Sequence, residues 1–273
     1  MMESKTRSWW VYLLFFFISQ LAGGGVAVVL TATKLASAEE SLVLSLLMAN
    51  LLAIGMFLLW RQRDVTWVRT VAGVQGENLR HTGLVFAMAL PIIVLVNLVQ
   101  EAFFPEIPDL VGEETFKAIM YNPLGLLTVA VLGPLAEELL FRGGVQGGFS
   151  KGEPSSAGEG FLKGGGKTAL FLSAVIFAVA HLNPAQMPAA FILGAVLGFA
   201  YWWTGSLVPP VCIHVFNNSI ACVLSFLSPN DDSLIHFVGG NERAGVLAAV
   251  CIFFLLITLH AVRQEMRKSR EKR

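Results

Sequence analysis

The sequence predicts an all-α fold, a polytopic membrane helix bundle with about eight transmembrane helices. Three observations lead there. The 273 residues are 55% hydrophobic and only 14% charged, whereas a water-soluble globular chain carries about 25% charged residues. The apolar residues come in blocks, and most of these approach the ~20 residues a helix needs to cross a bilayer. No long polar segment could fold by itself, so residues 1–273 are expected to form a single membrane domain. The formal net charge of +0 argues against nucleic acid as a partner, and membrane lipid is the expected surrounding.

The expected spans, in order, are 9–32, 42–60, 83–104, 122–148, 168–183, 187–204, 206–227 and 244–262. The apolar stretch of the first is too long for a cleaved signal peptide. The fifth and sixth are the shortest, and Pro184 and Pro188 mark the break between them. Between the third and fourth, residues 105–121 carry Glu106, Asp109, Glu113 and Glu114 and predict a short surface helix. Residues 149–167 are rich in Gly, Ser and Lys and read as a mobile loop. Gly166-Lys167-Thr168 within this region does not make a phosphate loop, because Phe161 stands where the motif requires glycine.

Eight spans place both termini on one side, and the basic residues agree. Fifteen of the 19 Lys and Arg fall on the side of the termini, among them Lys5, Arg61, Arg80, Lys167 and Arg263. Lys34, Lys117 and Arg243 fall on the other, and Arg142 lies within a span. Cytoplasmic loops collect Lys and Arg, so the chain reads as a multi-pass integral membrane protein with cytoplasmic termini. Cys212, Cys222 and Cys251 all lie in apolar runs, where cysteine behaves as a small apolar residue. Their odd number argues against a disulfide framework.

Against this background three segments stand out: Glu137-Glu138-Leu139-Leu140-Phe141-Arg142, Phe177-Ala178-Val179-Ala180-His181 and His214-Val215-Phe216-Asn217-Asn218. Each puts polar or ionisable groups in an apolar span, where they are costly and mark function. At ~1.5 Å rise per residue, Glu137, His181, His214 and Asn218 sit about 16, 20, 12 and 18 Å from the cytoplasmic ends of their spans. They therefore share one layer, expected to be reached from that side. His214 and Asn218 are four residues apart and share a helix face, as do Phe177 and His181. Glu138 and Arg142 have the same spacing, with the acid first, the better order for an ion pair. Glu137 projects about 100° away from Glu138, so it is left to face the two histidines.

These groups suit hydrolysis. A carboxylate and a histidine flanking one water can take its proton. A second histidine and an asparagine amide can hold the oxyanion of a tetrahedral intermediate. Taken together, the motifs Glu-Glu-x-x-x-Arg, Phe-x-x-x-His and His-x-x-x-Asn resemble those of the CAAX-prenyl endopeptidase and bacteriocin-processing family. The likeness covers roughly residues 120–225. It implies an intramembrane glutamate protease in which Glu137 and His181 activate the water and His214 and Asn218 form the oxyanion hole. Glu138, Arg142 and Phe177 would order the site or contact the substrate. The implied partner is a peptide or protein, prenylated or carrying a leader peptide, and no cofactor is implied.

Other readings of the same residues remain open. Glu137, His181 and His214 could bind zinc in a metalloprotease, although no His-Glu-x-x-His helix is present. Cys212 and His214 could form a metal pair, without a neighbouring cysteine to complete it. A serine protease would need Ser173 or Ser206 beside a base. The pocket could also belong to a non-catalytic scaffold or bacteriocin-immunity protein of the same family. A proton-coupled carrier would use intramembrane Glu and His too, but the sequence shows no repeated halves of the kind many carriers have.

Overall fold

The computed structural model describes residues 8–61, 76–104, 107–110, 112–149, 165–227 and 233–271. Most of the expected loop at 149–167, and basic residues such as Lys5, Arg7, Arg63 and Lys151, lie outside the described residues.

Helix α1 is Trp10–Ala32 and α2 is Ala38–Arg61. α2 begins four residues before the expected start because Ser37 and Glu40 form a reciprocal cap. Ser37 N–H donates to Glu40 Oε2 at 2.9 Å, and Glu40 N–H donates to Ser37 Oγ at 3.1 Å. This satisfies backbone donors that have no helical partner. Helix α3 is Gly76–Phe103 and the surface helix α4 is Glu113–Met120. The central span α5 is Pro123–Phe149. It opens with Asn122, whose side chain accepts from Leu124 N–H at 2.9 Å. Pro123 follows at the first helical position, where its missing N–H costs nothing.

Helix α6 is Gly165–Ala180 and α7 is Met187–Thr204, closed by Gly205 at φ 65°. Then come α8, Val208–Leu227, the single turn α9, Leu234–Phe237, and α10, Asn241–Glu271. Seven of these helices are long and apolar enough to cross a membrane, and α6 is apolar but shorter. Its 16 residues span about 24 Å, against a hydrocarbon core of about 30 Å.

The helix pairs run antiparallel. Gly23 of α1 lies against Ser45 of α2, while Tyr12 meets Phe57 at the other end of the same pair. Gly194 and Gly198 of α7 lie against Ala174 and Leu170 of α6, which lets these two helices approach closely. One end of the bundle carries the Trp9–Phe149 ring stack, the His81–Trp203 stack and the Arg80–Glu265 ion pair at 3.0 Å. At the opposite end Glu101 of α3 caps α9, accepting from Leu234 N–H at 2.8 Å and Ile235 N–H at 2.9 Å.

Two features were not expected. Within α5 the backbone takes π-helical geometry over Thr128–Leu132 and again over Glu138–Gln146. And α6 ends at Ala180, so His181 lies in the turn that follows, not inside a span continuing to residue 183. Leu182 turns the chain with φ 53°. Asn183 then anchors the turn, its Nδ2 donating to Asp109 Oδ1 at 2.7 Å.

α5 is the most enclosed span. All nine residues of its Glu138–Gln146 segment are buried. Glycines make this possible: a Cβ at Gly144 would collide with the Tyr12 ring, and one at Gly148 would come within 2.8 Å of Trp9 Cβ. Gly143 lies against Phe57 and Leu207. Tyr12, Phe57, Phe141, Phe177 and Leu207 form one core cluster here, filling the bundle between the polar groups and the end that carries Trp9.

Candidate active site

A π turn shifts the backbone ladder from i→i+4 to i→i+5 and frequently occurs at functional sites. In α5 it coincides with carbonyls that accept from other helices. Val129 O accepts from Asn218 Nδ2 at 3.0 Å. Gly143 O accepts from Arg61 Nη2 at 2.9 Å. Phe141 O accepts from the Ser173 hydroxyl at 3.3 Å. The widened helix is thus tied to α2, α6 and α8 at the level of the polar residues.

Glu138 and Arg142 are both fully buried, joined by Arg142 Nε–H donating to Glu138 Oε2 at 2.9 Å. Arg142 also donates through Nη1 to Ser173 Oγ at 2.9 Å, and its guanidinium lies 4.7 Å over the Phe177 ring. The second carboxylate oxygen of Glu138 accepts from His214 Nδ1–H at 3.0 Å. That contact was not foreseen. Glu138 is the hinge between Arg142 and His214, and it fixes which nitrogen of His214 faces outward.

That outward nitrogen, Nε2, lies 3.9 Å from Glu137 Oε2. This is too long for a hydrogen bond, so the two groups face each other without a direct bond. Glu137 Oε2 accepts no hydrogen bond from the protein. The two adjacent acids thus have different surroundings: the Glu138 side chain is 0% exposed and the Glu137 side chain 29%.

His181 Nδ1–H donates to Phe177 O at 2.8 Å. A carbonyl can only accept, so the ring's Nε2 is left as an acceptor in the neutral form. Phe177 makes edge contacts with both imidazoles, at 4.8 Å from His181 and 5.7 Å from His214. Asn218 is held at both ends. One amide proton goes to Val129 O, and Oδ1 accepts from Asn217 Nδ2 at 3.1 Å. Its second amide proton is left for another acceptor.

Glu137, His181, His214 and Asn218 all line one cavity of about 360 Å³. Its walls come from Ile92–Gln100 of α3, Gln186–Val196 before and in α7, and His214–Cys222 of α8. It therefore extends from mid-bundle toward the end that carries the 181–186 turn. The sequence suggested access from the end that carries the termini, but the aromatic core cluster fills that side. Counting residues from span ends gives a depth and says nothing of which side is packed shut.

Residues that the three motifs did not single out also reach the site. Ser173, weighed in the sequence as a nucleophile, is instead bound to Arg142. Asn97, Gln100, Gln186 and Asn217 line the cavity. Asn97, Gln100 and Asn217 lie in expected spans and could have been found as polar groups in apolar runs, whereas Gln186 falls between two spans and gave no such signal. Among the described residues, no three His, Cys, Asp or Glu side chains are grouped so as to hold a metal ion.

Residues 120–220 match the family described as type II CAAX prenyl endopeptidase, Rce1-like. This match spans the core of the chain from the end of α4 into α8 and leaves α1 to α3 and α10 outside it. A membrane-embedded CAAX protease, MroQ, from Staphylococcus aureus (strain USA300) is 30% identical over 107 residues. That alignment covers 39% of this chain and 41% of the relative, so the chain matches less than half of that protein's length. No solved structure matches the chain.

Proposed function

We propose that the chain is an intramembrane, metal-independent endopeptidase of the CAAX-prenyl protease type. The observation that carries this reading is the shared cavity, with Glu137 Oε2 unpartnered and 3.9 Å from His214 Nε2. Glu137 is the general base. It takes a proton from water with the help of the His181 Nε2 acceptor, and the water oxygen bonds to the scissile carbonyl carbon. The oxyanion that forms accepts from the remaining amide N–H of Asn218, with His214 beside it as the second member of the oxyanion hole. The C–N bond then breaks, and the leaving amine takes the proton back from Glu137. Glu138 and Arg142 position His214, and Phe177 positions both imidazoles.

The substrate is a peptide or protein presented at the membrane. The cytoplasmic placement of both termini belongs to the same proposal, on the distribution of Lys and Arg. The test is hydrolysis by the protein in liposomes of a peptide library that includes a farnesylated CAAX peptide, with Glu137→Ala as control. Cuts that vanish in Glu137→Ala support the reading, and a library left intact by the wild type overturns it.

Two expected results follow from the geometry. Asn218→Ala removes one oxyanion donor and should lower kcat by about 10²–10³-fold with little change in KM. EDTA or phenanthroline should leave hydrolysis intact. Activity that is lost on chelation and restored by stoichiometric zinc would transfer Glu137, His181 and His214 to a metal site.

A further inference from the structure

We infer that Asp109 and Asn183 are positioning residues for His181, tying the turn that carries its imidazole to the segment before α4. The inference rests on the peptidase reading, in which His181 Nε2 helps to take the proton of the water. Glu137, His214 and Asn218 stand on helices, where the backbone ladder sets the direction of each side chain. His181 stands in the turn after α6. Its Nδ1–H bond to Phe177 O holds the ring against the last turn of that helix, but this bond does not fix the backbone beyond it. The next residue, Leu182, has φ 53°, a left-handed conformation that a residue with a Cβ keeps only where its surroundings over-determine it.

Asn183 supplies that determination. Its side chain is buried, 2% exposed. Oδ1 accepts from Leu110 N–H and from Ala185 N–H, both at 3.3 Å. Nδ2 donates to Asp109 Oδ1 at 2.7 Å, and a bond to an ionised acceptor is stronger than one between neutral groups. The Asn183 carbonyl accepts from Gln186 N–H at 3.0 Å and Met187 N–H at 3.1 Å, which opens α7. One buried amide, two residues from His181, thus joins the end of α6, the start of α7 and residues 107–110. Neither Asp109 nor Asn183 lines the cavity, so they act through His181 and not on the substrate.

The experiment uses the full chain in liposomes and a peptide that it cuts in a Glu137-dependent way. Asn183→Asp keeps an oxygen for the two backbone N–H groups, but sets a carboxylate against that of Asp109 where the donor was. It should lower kcat about 10–10²-fold, the scale for a misplaced reacting group, with KM changed by less than about twofold. The swapped pair, Asp109→Asn with Asn183→Asp, rebuilds the bond in reverse, since the amide now donates from position 109 to the carboxylate at 183. Its kcat should return to within about threefold of Asp109→Asn alone. In a His181→Ala background Asn183→Asp should cost less than about twofold, because effects that pass through one group do not add. A swap that recovers nothing, or a cost undiminished in His181→Ala, would overturn the inference.

A second measurement does not depend on turnover. In protein carrying isotope-labelled histidine, the Nδ1–H resonance of His181, identified by its loss in His181→Ala, reports the bond to Phe177 O. It should shift or broaden in Asn183→Asp and return in the swapped pair. Asp109 is exposed, so Asp109→Ala loosens the same tie without disturbing the core and serves if Asn183→Asp does not fold. A resonance unmoved in these variants would overturn the inference. A wild type without any Glu137-dependent cut would overturn the peptidase reading, and the resonance would still decide whether Asp109 and Asn183 hold His181.

Discussion

Glu137→Gln should lower turnover by about 10²–10⁴-fold, the usual loss when a positioned general base is removed. Its thermal stability in detergent should stay close to that of the wild type. Both expectations come from one pair of facts: Glu137 Oε2 has no hydrogen-bond partner in the protein, and the side chain is partly exposed to the cavity. Glutamine keeps the shape and most of the packing of glutamate. It loses only the ability to accept a proton, and the buried Arg142 guanidinium is balanced by Glu138 and not by Glu137. The decisive comparison sets kcat beside the melting temperature for the same preparation. A variant that is inactive and also unstable would show that Glu137 has a structural partner, and a fully active one would remove it from the chemistry.

Much of this site was legible in the sequence because lipid is an unforgiving solvent. A Glu, His or Arg within an apolar run is costly unless it is paired, so the three motifs were visible without knowledge of the fold. The Glu138–Arg142 pair followed from i,i+4 spacing, and Pro184 and Pro188 marked the break between α6 and α7. The near-perpendicular projection of Glu137 and Glu138 was also readable from residue geometry.

What escaped reading depends on contacts between helices distant in sequence. Glu138 reaches His214 across 76 positions, and no local rule predicts which of two adjacent acids a distant histidine will choose. The π-helical stretches were hidden as well, since apolar periodicity cannot distinguish an i→i+4 from an i→i+5 ladder over nine residues. The early start of α2 was different. Its Ser-x-x-Glu cap is a local signal, passed over because hydrophobicity alone set the boundary.

Glu138→Gln should behave unlike its neighbour, losing stability and activity together. Glu138 accepts from Arg142 Nε–H through one oxygen and from His214 Nδ1–H through the other, at 2.9 and 3.0 Å. An amide presents only one acceptor, and its NH2 group would face a donor at the second position. Arg142 would keep its charge, fully buried, with the neutral Ser173 hydroxyl and the Phe177 ring as its remaining contacts. Breaking a buried ion pair on one side costs about 3–5 kcal/mol, enough to reduce expression and lower the melting temperature markedly. The double variant Glu138→Gln with Arg142→Met removes the stranded charge and should recover much of that stability, since buried pairs are often replaceable by apolar groups. It should not recover turnover, because His214 would no longer be held by a carboxylate at Nδ1 with Nε2 turned to the cavity. Recovery of stability without activity separates the two jobs of Glu138, balancing Arg142 and aiming His214. If instead Glu138→Gln is stable but inactive while Glu137→Gln is active, the general base is Glu138 and the roles of the two acids are reversed.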